Sequence, residues 1–356
     1  MDMKGEKQIR DTIDRILPPD RTAMEQASFR WDSIAKPLHS LGRFEEMITQ
    51  IAGIQRTDRV DISRKALVIM CADNGVVEEG VTQTGQEVTA IVAGNFLAGN
   101  TSVSIMSACA GADVFPMDVG MVSDVPGMDT RKTAYGTRNL AKEPAMTRKE
   151  MEAAIRAGMD KAAELKEEGY QILASGEMGI GNTTTSSAIA AVLLDRPPEQ
   201  VTGCGAGLSG TGLQKKIQVI QKAIELHRPD ASDPADVLMK LGGFDIAAMT
   251  GLYLGAAAEG LPVIADGFIS LVAALVAVRM APGCREYILP SHVSEEPAVR
   301  SVLKALHMEP VLHAGMHLGE GTGAAALFPL LDMASAIYTG MSTFSDIRVE
   351  AYQDLN

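Results

Sequence analysis

Two glutamates in this chain stand alone among glycines, each just ahead of an apolar stretch with helical spacing. Glu177 lies in "LASGEMGIGNTTTSSAIAAVLL" (173–194) and Glu320 in "HAGMHLGEGTGAAALFPLLDMA" (313–334). A lone acid in such a loop has two uses. It can complement the positive end of the helix that follows. Alternatively, in an apolar pocket poor in water, burial lifts its pKa and makes it a general base.

The loop after Glu177 adds a second chemistry. Gly179 and Gly181 let the backbone approach a ligand closely, and Asn182 or a following threonine caps a helix whose first N–H groups point outward. Donors and dipole together would make this start a cradle for a 5′-phosphate. A glycine-rich turn with a threonine-rich cap, and no ligand, fits the same residues. No Gly-Lys-Ser/Thr follows, so this is not a Walker loop. A further glycine cluster, "VTGCGAGLSGTGLQKK" (201–216), brings Lys215 and Lys216 to the next helix, where either could meet a phosphate as a point charge. Its glycines at 203, 205 and 207 miss the dinucleotide fingerprint, and no convincing strand precedes them, which counts against a nicotinamide-dependent oxidoreductase. His313 and His317 are four apart, but a glycine interrupts their face and the glutamate of a HExxH site is missing, so no metal is expected. There is no G-x-S-x-G elbow.

These loops need a scaffold to converge on one place. Short apolar runs at "KALVIMCADNGV" (65–76), "GADVFPMDVGM" (111–121), "YQILASGEMG" (170–179), "LPVIADG" (261–267) and "CREYILPSH" (284–292) read as strands. Helical stretches at 148–168, 183–194, 212–227, 244–259 and 267–280 separate them. Alternation of that kind predicts crossover units and an α/β fold: a three-layer, mostly parallel, Rossmann-like sheet with its site beyond the carboxyl ends of the strands. The polar residues at those ends are Asp73, Asn74, Asp118, Glu177, Asp266, Ser291 and His292. Each by itself is most simply a turn former or a helix cap. Residues 8–55 carry helical periodicity broken at Pro18-Pro19 and Pro37, with Trp31 and Leu41 as packing anchors, while 122–150 is a long polar connection suited to a flap or an arm.

Composition agrees with a packed enzyme-sized protein. The 356 residues are 46% hydrophobic but only 4% aromatic, with 34 Gly and 20 Met, so the core is built from small aliphatic side chains and methionine. A net charge of −13 argues against a general nucleic-acid partner, which requires a basic surface. The four cysteines form no CxxC pair and the N-terminus is too charged for a signal peptide, so a reducing cytoplasm is the expected setting. The apolar run 267–278 is too short to span a bilayer and reads as a buried helix, and no membrane partner is expected.

Taken in order, "PLHSLGRFE" (37–45), "GEMGIGNTTTSSA" (176–188), "GGFDIAAMTGLYLGAA" (242–257), "DGFISLVAALVA" (266–277), "SHVSEEPA" (291–298) and the LGEGTG segment from Leu318 resemble the nicotinate-nucleotide–dimethylbenzimidazole phosphoribosyltransferase family. The resemblance implies ribose 5-phosphate transfer from nicotinate mononucleotide to 5,6-dimethylbenzimidazole or a related base, inverting the anomeric carbon, in assembly of the cobalamin nucleotide loop. It implies Glu320 as catalytic base and Glu177 as its assistant. Gly179, Ile180, Gly181, Asn182, Thr183, Thr184, Gly205 and Lys216 would hold the ribose phosphate, and Ser291 and Leu318 would also meet substrate. No cofactor or metal is implied. A smaller helical domain would be assembled from residues 1–60 and 331–356 around a catalytic domain at 61–330, in a homodimer whose site borrows residues from the partner. The chain departs from the family at Asn74, where a histidine is usual, and at His317, often an arginine. Three alternatives stay open at this point: the same chemistry with another azole or phenolic acceptor, a nicotinamide-dependent oxidoreductase on the same parallel sheet, and a non-catalytic nucleotide sensor that would keep the phosphate loops without needing Glu320.

Overall fold

The computed structural model describes residues 3–205 and 207–352. Its centre is a six-stranded sheet formed by β1 (Lys65–Ala72), β2 (Ala112–Gly120), β3 (Asp129–Thr130), β4 (Ile172–Met178), β5 (Val263–Ala265) and β6 (Ile288–Pro290), in the order β3-β2-β1-β4-β5-β6. Every pairing is parallel. The chain begins at β1 in mid-sheet and builds outward in both directions, so the crevice between the ends of β1 and β4 is the topological switch point where such sheets bind ligands.

Before the sheet come α1 (Met3–Ile13), α2 (Arg21–Ser33) and α3 (Arg43–Gln55); α4 (Glu87–Leu97) and α5 (Ser102–Cys109) join β1 to β2. The later helices are α6 (Arg148–Glu167), α7 (Asn182–Leu193), α8 (Pro198–Val201), α9 (Gly210–His227), α10 (Pro234–Leu241), α11 (Phe244–Ala258), α12 (Phe268–Met280), α13 (Val299–Leu306) and α14 (Thr322–Gly340). All eight residues of β1 are buried, because helices cover both faces of the sheet. Period-2 alternation divides them: Ala66, Val68 and Met70 face a core shared with α6, α11 and α12, while Leu67, Ile69 and Cys71 face one shared with α2, α3 and α14. On the first face α6 and α11 approach to backbone contact, since a Cβ on Gly251 would stand 1.8 Å from the Ile155 carbonyl oxygen.

The two chain ends meet on the second face. The rings of Trp31 and Tyr338 lie 5.0 Å apart, Ile34 bridges to Thr343, and Phe344 donates its N–H to the Ser33 carbonyl. Helix α14 runs unbroken across residue 331, so the segment against Trp31 continues the helix that begins two residues after Glu320. One local expectation needs correction. Residues 284–287, read as the start of the strand at 284–292, belong to a 3-10 turn over 282–287 opened by Pro282, which cannot donate to a ladder. Residues 87–109, not singled out in the sequence, are apolar and long enough to cross a membrane by composition, yet they fold as two helices broken at 98–101 and leave Ile91, Leu97 and Ile105 exposed.

Candidate active site

The last turns of β4 and β5 and the first turns of α7 and α14 surround a cavity of about 360 Å³. Strand β4 carries Glu177 into it, and the side chain is 6% exposed. Its Oε2 accepts from Asn182 Nδ2, and its Oε1 lies 3.4 Å from the Glu320 backbone N–H, so the two lone acids of the sequence meet. Burial, reinforced by the nearby Asp245 carboxyl, holds Glu177 well above the usual carboxylate range.

Glu320 is positioned differently. It has φ +61° between Gly319 at +84° and Gly321 at +92°, three left-handed residues in succession. For glutamate that conformation costs roughly 1–2 kcal/mol, so the turn must be held from outside. Asp266, at the end of β5, holds it. Its carboxylate accepts N–H bonds from Gly321 (3.1 Å), Gly323 (2.7 Å) and Ala324 (3.1 Å), capping α14 from a distant strand. His292 stands behind it, with Nδ1 3.8 Å from Asp266 Oδ1. The Glu320 carboxylate itself is half-buried and makes no hydrogen bond or ion pair among the described residues. Burial first, and Asp266 second, raise its pKa.

The cavity wall also includes Gly179, Ile180, Asn182, Thr183, Gly205, Leu318 and His317. An apolar side comes from Val88 and Val92 of α4 together with Met178, Phe268 and Leu318. Four expected residues stand behind that wall. Gly181 is the N-cap of α7 at φ +95°, packed near Asn74 and Val77. Thr184 is fully buried beneath the first turn. Ser291 donates to the Asp266 carbonyl oxygen at 3.2 Å and touches His292. Lys216 is wholly buried and reaches Thr183 Oγ1 at 2.8 Å and the Gly203 carbonyl at 3.1 Å, while Lys215 turns toward Gly80. Desolvation brings the Lys216 ammonium down to about 8. Asn74 lies under the loop after β4, its Nδ2 3.5 Å from the Ile180 carbonyl.

Several participants escape a reading of the sequence. Val88 and Val92 sit in a helix with no glycine signature, although Thr89 beside them accepts the Ile180 N–H at 3.2 Å and fixes the loop after β4. Glu296 lines the cavity near Lys216; burial raises its pKa and the lysine lowers it. Its place in "SHVSEEPA" was the available signal. Asp245, in the first turn of α11, accepts from Asn182 Nδ2 at 2.9 Å and is pushed up to about 6 by burial.

The sequence profile of the DBI_PRT phosphoribosyltransferase family matches residues 16–349. This chain belongs to that family. It is 49% identical to the nicotinate-nucleotide–dimethylbenzimidazole phosphoribosyltransferase of Ruminiclostridium cellulolyticum, over 97% of this chain and 99% of that one. The enzyme of the same name from Acetivibrio thermocellus is 48% identical over 93% and 95% of the two chains. The crystal structure of CobT from Thermus thermophilus matches with a TM-score of 0.88 at 40% identity, covering 93% of this chain and all of that one. Family membership and fold set aside the oxidoreductase alternative, and the phosphoribosyltransferase is α/β throughout its sheet.

Proposed function

We propose that this phosphoribosyltransferase moves ribose 5-phosphate from nicotinate mononucleotide to 5,6-dimethylbenzimidazole or a closely related base. The products are nicotinate and the α-riboside 5′-phosphate of the lower-ligand base. The observation that carries this reading is the single cavity in which an unpaired, half-buried Glu320 faces both the start of α7 and an apolar wall. The names carried by the relatives support it.

The donor's pyridinium nitrogen takes the electron pair of the breaking glycosidic bond and leaves as a neutral ring, so its departure needs no general acid. As the anomeric carbon gains oxocarbenium character, the azole nitrogen attacks from the opposite face. The proton on the azole's other nitrogen passes to Glu320, whose pKa, raised by burial and by Asp266, makes it a stronger base than an exposed carboxylate. Glu177, 3.4 Å from the Glu320 backbone, supplies negative charge beside the cationic transition state. The α7 start and Thr183 receive the phosphate, with Lys216 stiffening Thr183 from behind. Val88, Val92, Phe268 and Leu318 form the slot for the flat base.

A homodimer fits the same arrangement. Helix α4 gives Val88 and Val92 to the cavity and leaves Ile91 and Leu97 exposed, as α5 leaves Ile105, apolar side chains that a second copy could cover. Light scattering should give twice the chain mass, and Ile91→Glu with Ile105→Glu should return it to one. A cytoplasmic setting accords with four free cysteines, Cys71, Cys109, Cys204 and Cys284. The function is tested by incubating the pure protein with nicotinate mononucleotide and 5,6-dimethylbenzimidazole and following both products by mass-resolved chromatography. Absence of both products with wild type would defeat the proposal.

A further inference from the structure

The segment 291–298 leads away from β6 and is tied to the loop that carries Leu318 and Glu320: Val293 donates to the Leu312 carbonyl at 3.0 Å and Glu295 to that of Met316 at 3.3 Å. From this segment Glu296 reaches a different loop, the glycine cluster before α9. There its carboxylate accepts the Gly205 N–H. Gly203 lies so close beneath it that a Cβ at that position would strike Glu296 Oε2 and Pro297 Cδ. The same cluster adjoins the groups to which the transferase reading gives the donor's phosphate. A Cβ on Gly205 would stand 2.8 Å from Thr183 Oγ1 and 3.4 Å from Lys216 Nζ, and Glu296, Thr183 and Gly205 all line the cavity. A carboxylate therefore stands where a phosphate is expected.

A fixed ion pair does not account for it. Lys216 Nζ is held by Thr183 Oγ1 at 2.8 Å and the Gly203 carbonyl at 3.1 Å, and among the described residues it makes no direct ion pair with Glu296. Burial works against the Glu296 charge, and Lys216, the Gly205 N–H and His317 support it, in that order. Glu296 Oε2 is buried without a hydrogen-bond partner, and so is Ser294 Oγ, two residues earlier on the same cavity wall. Unsatisfied groups of this kind are costly away from water, so the segment is not at its best with the cavity empty. A phosphate brought beside Glu296 would meet a second negative charge and a competitor for one N–H.

We propose that Glu296 is the resident anion of the phosphate cradle: in the free enzyme it takes the Gly205 N–H and faces Lys216, and the donor's phosphate displaces it. That the ligand is a nucleotide donor rests on the transferase reading; the exchange of one anion for another needs only a phosphate ester. Donor affinity is then a difference between the holds of two anions on the same groups. The phosphate prevails because it brings more charge and three acceptor oxygens, against one charge and two oxygens for the carboxylate. The product riboside carries the same phosphate, so the returning carboxylate also favours its departure.

The test is calorimetric titration of the full chain with ribose 5-phosphate, beside ribose as the uncharged control. Glu296→Gln keeps the size of the side chain and an oxygen for the Gly205 N–H but removes the charge. It should bind ribose 5-phosphate about tenfold more tightly than wild type and respond to ribose as wild type does. In turnover, donor KM should fall with acceptor KM unchanged. An unchanged affinity for ribose 5-phosphate would make Glu296 a structural carboxylate, a weaker one would make it a ligand of the sugar, and either result overturns the proposal. So would a gain shared equally by ribose, or no binding of ribose 5-phosphate to either protein. A crystal structure of wild type with ribose 5-phosphate needs no variant to fold: a phosphate oxygen should stand at the Gly205 N–H with Glu296 withdrawn, and phosphate bound with Glu296 still on that N–H would defeat the exchange. If wild type makes no product from nicotinate mononucleotide and the base while Glu296→Gln tightens on ribose 5-phosphate, the transferase reading fails and the anion exchange stands.

Discussion

Glu177 and Glu320 occupy the same kind of sequence, a lone acid among glycines before an apolar helix, and the fold treats them in opposite ways. Glu177 is in extended backbone, nearly sealed, and gripped at both oxygens. Glu320 is in left-handed backbone, half-buried, and its carboxylate is gripped by nothing among the described residues. The difference separates two tasks that a sequence motif cannot. A fixed, buried charge can stabilise a cation that forms nearby, but it moves a proton poorly. An unpaired carboxylate with its backbone locked can exchange a proton without breaking any bond of the fold. In one case the side chain is held and the backbone is ordinary; in the other the backbone is held and the side chain is free.

The largest expected effect comes from Glu320→Gln, which should fold and bind donor yet lose about 10²–10⁴ in kcat, measured by steady-state product formation. Its pH profile sharpens the point. Wild-type kcat should rise with pH on an acidic limb lying above the ordinary glutamate value of 4.5, because only the ionised Glu320 accepts a proton. The residual activity of the glutamine variant should lack that limb. Glu177→Gln should cost less, about 10–10² in kcat, and should act on stability as well. The folded-state pKa of Glu177 lies above its unfolded value, so the native protein binds the proton more tightly, and stability falls as pH rises through that range. The glutamine variant should therefore gain in melting temperature over wild type as the pH is raised, a gain that shrinks in acid. Equal melting behaviour for the two glutamine variants at every pH would erase the contrast drawn above. Gly321→Ala comes next. Its φ of +92° and a Cβ 2.9 Å from Leu67 should cost about 1–2 kcal/mol and shift the Glu320 turn, lowering kcat about tenfold. Smallest is Lys216→Ala, which should raise donor KM a few-fold with acceptor KM unchanged; equal changes in both would argue against a link to the phosphate.

The sheet was legible because its buried parallel strands are continuous apolar runs, and the long helices because their periodicity is regular. Both glutamates were legible because glycine on either side of an acid is conspicuous. Three things were not. The cavity-lining Val88 and Val92 belong to an apolar helix that looks the same whether it lines a site, a core or an interface. Asp266 read as an ordinary strand-end residue, and a cap it is, but for a helix that begins 56 residues later in the chain. Lys216 announced a charge, whereas packing drew it under Thr183, since its helix turns that face inward. Spacing along the chain reports local geometry; which side of a wall a residue takes is decided by packing between distant elements.

The union of Glu320's turn with α14, which packs against the N-terminal helices, has a bearing on biosynthesis. On a ribosome, β1, β4 and Glu177 emerge and can associate long before α14 has been made. Glu320 cannot take its place until Asp266 finds the start of α14, and that helix cannot settle until Tyr338 meets Trp31. Formation of the Glu320 turn thus waits for α14, and a chain truncated before that helix would carry all six strands without the turn.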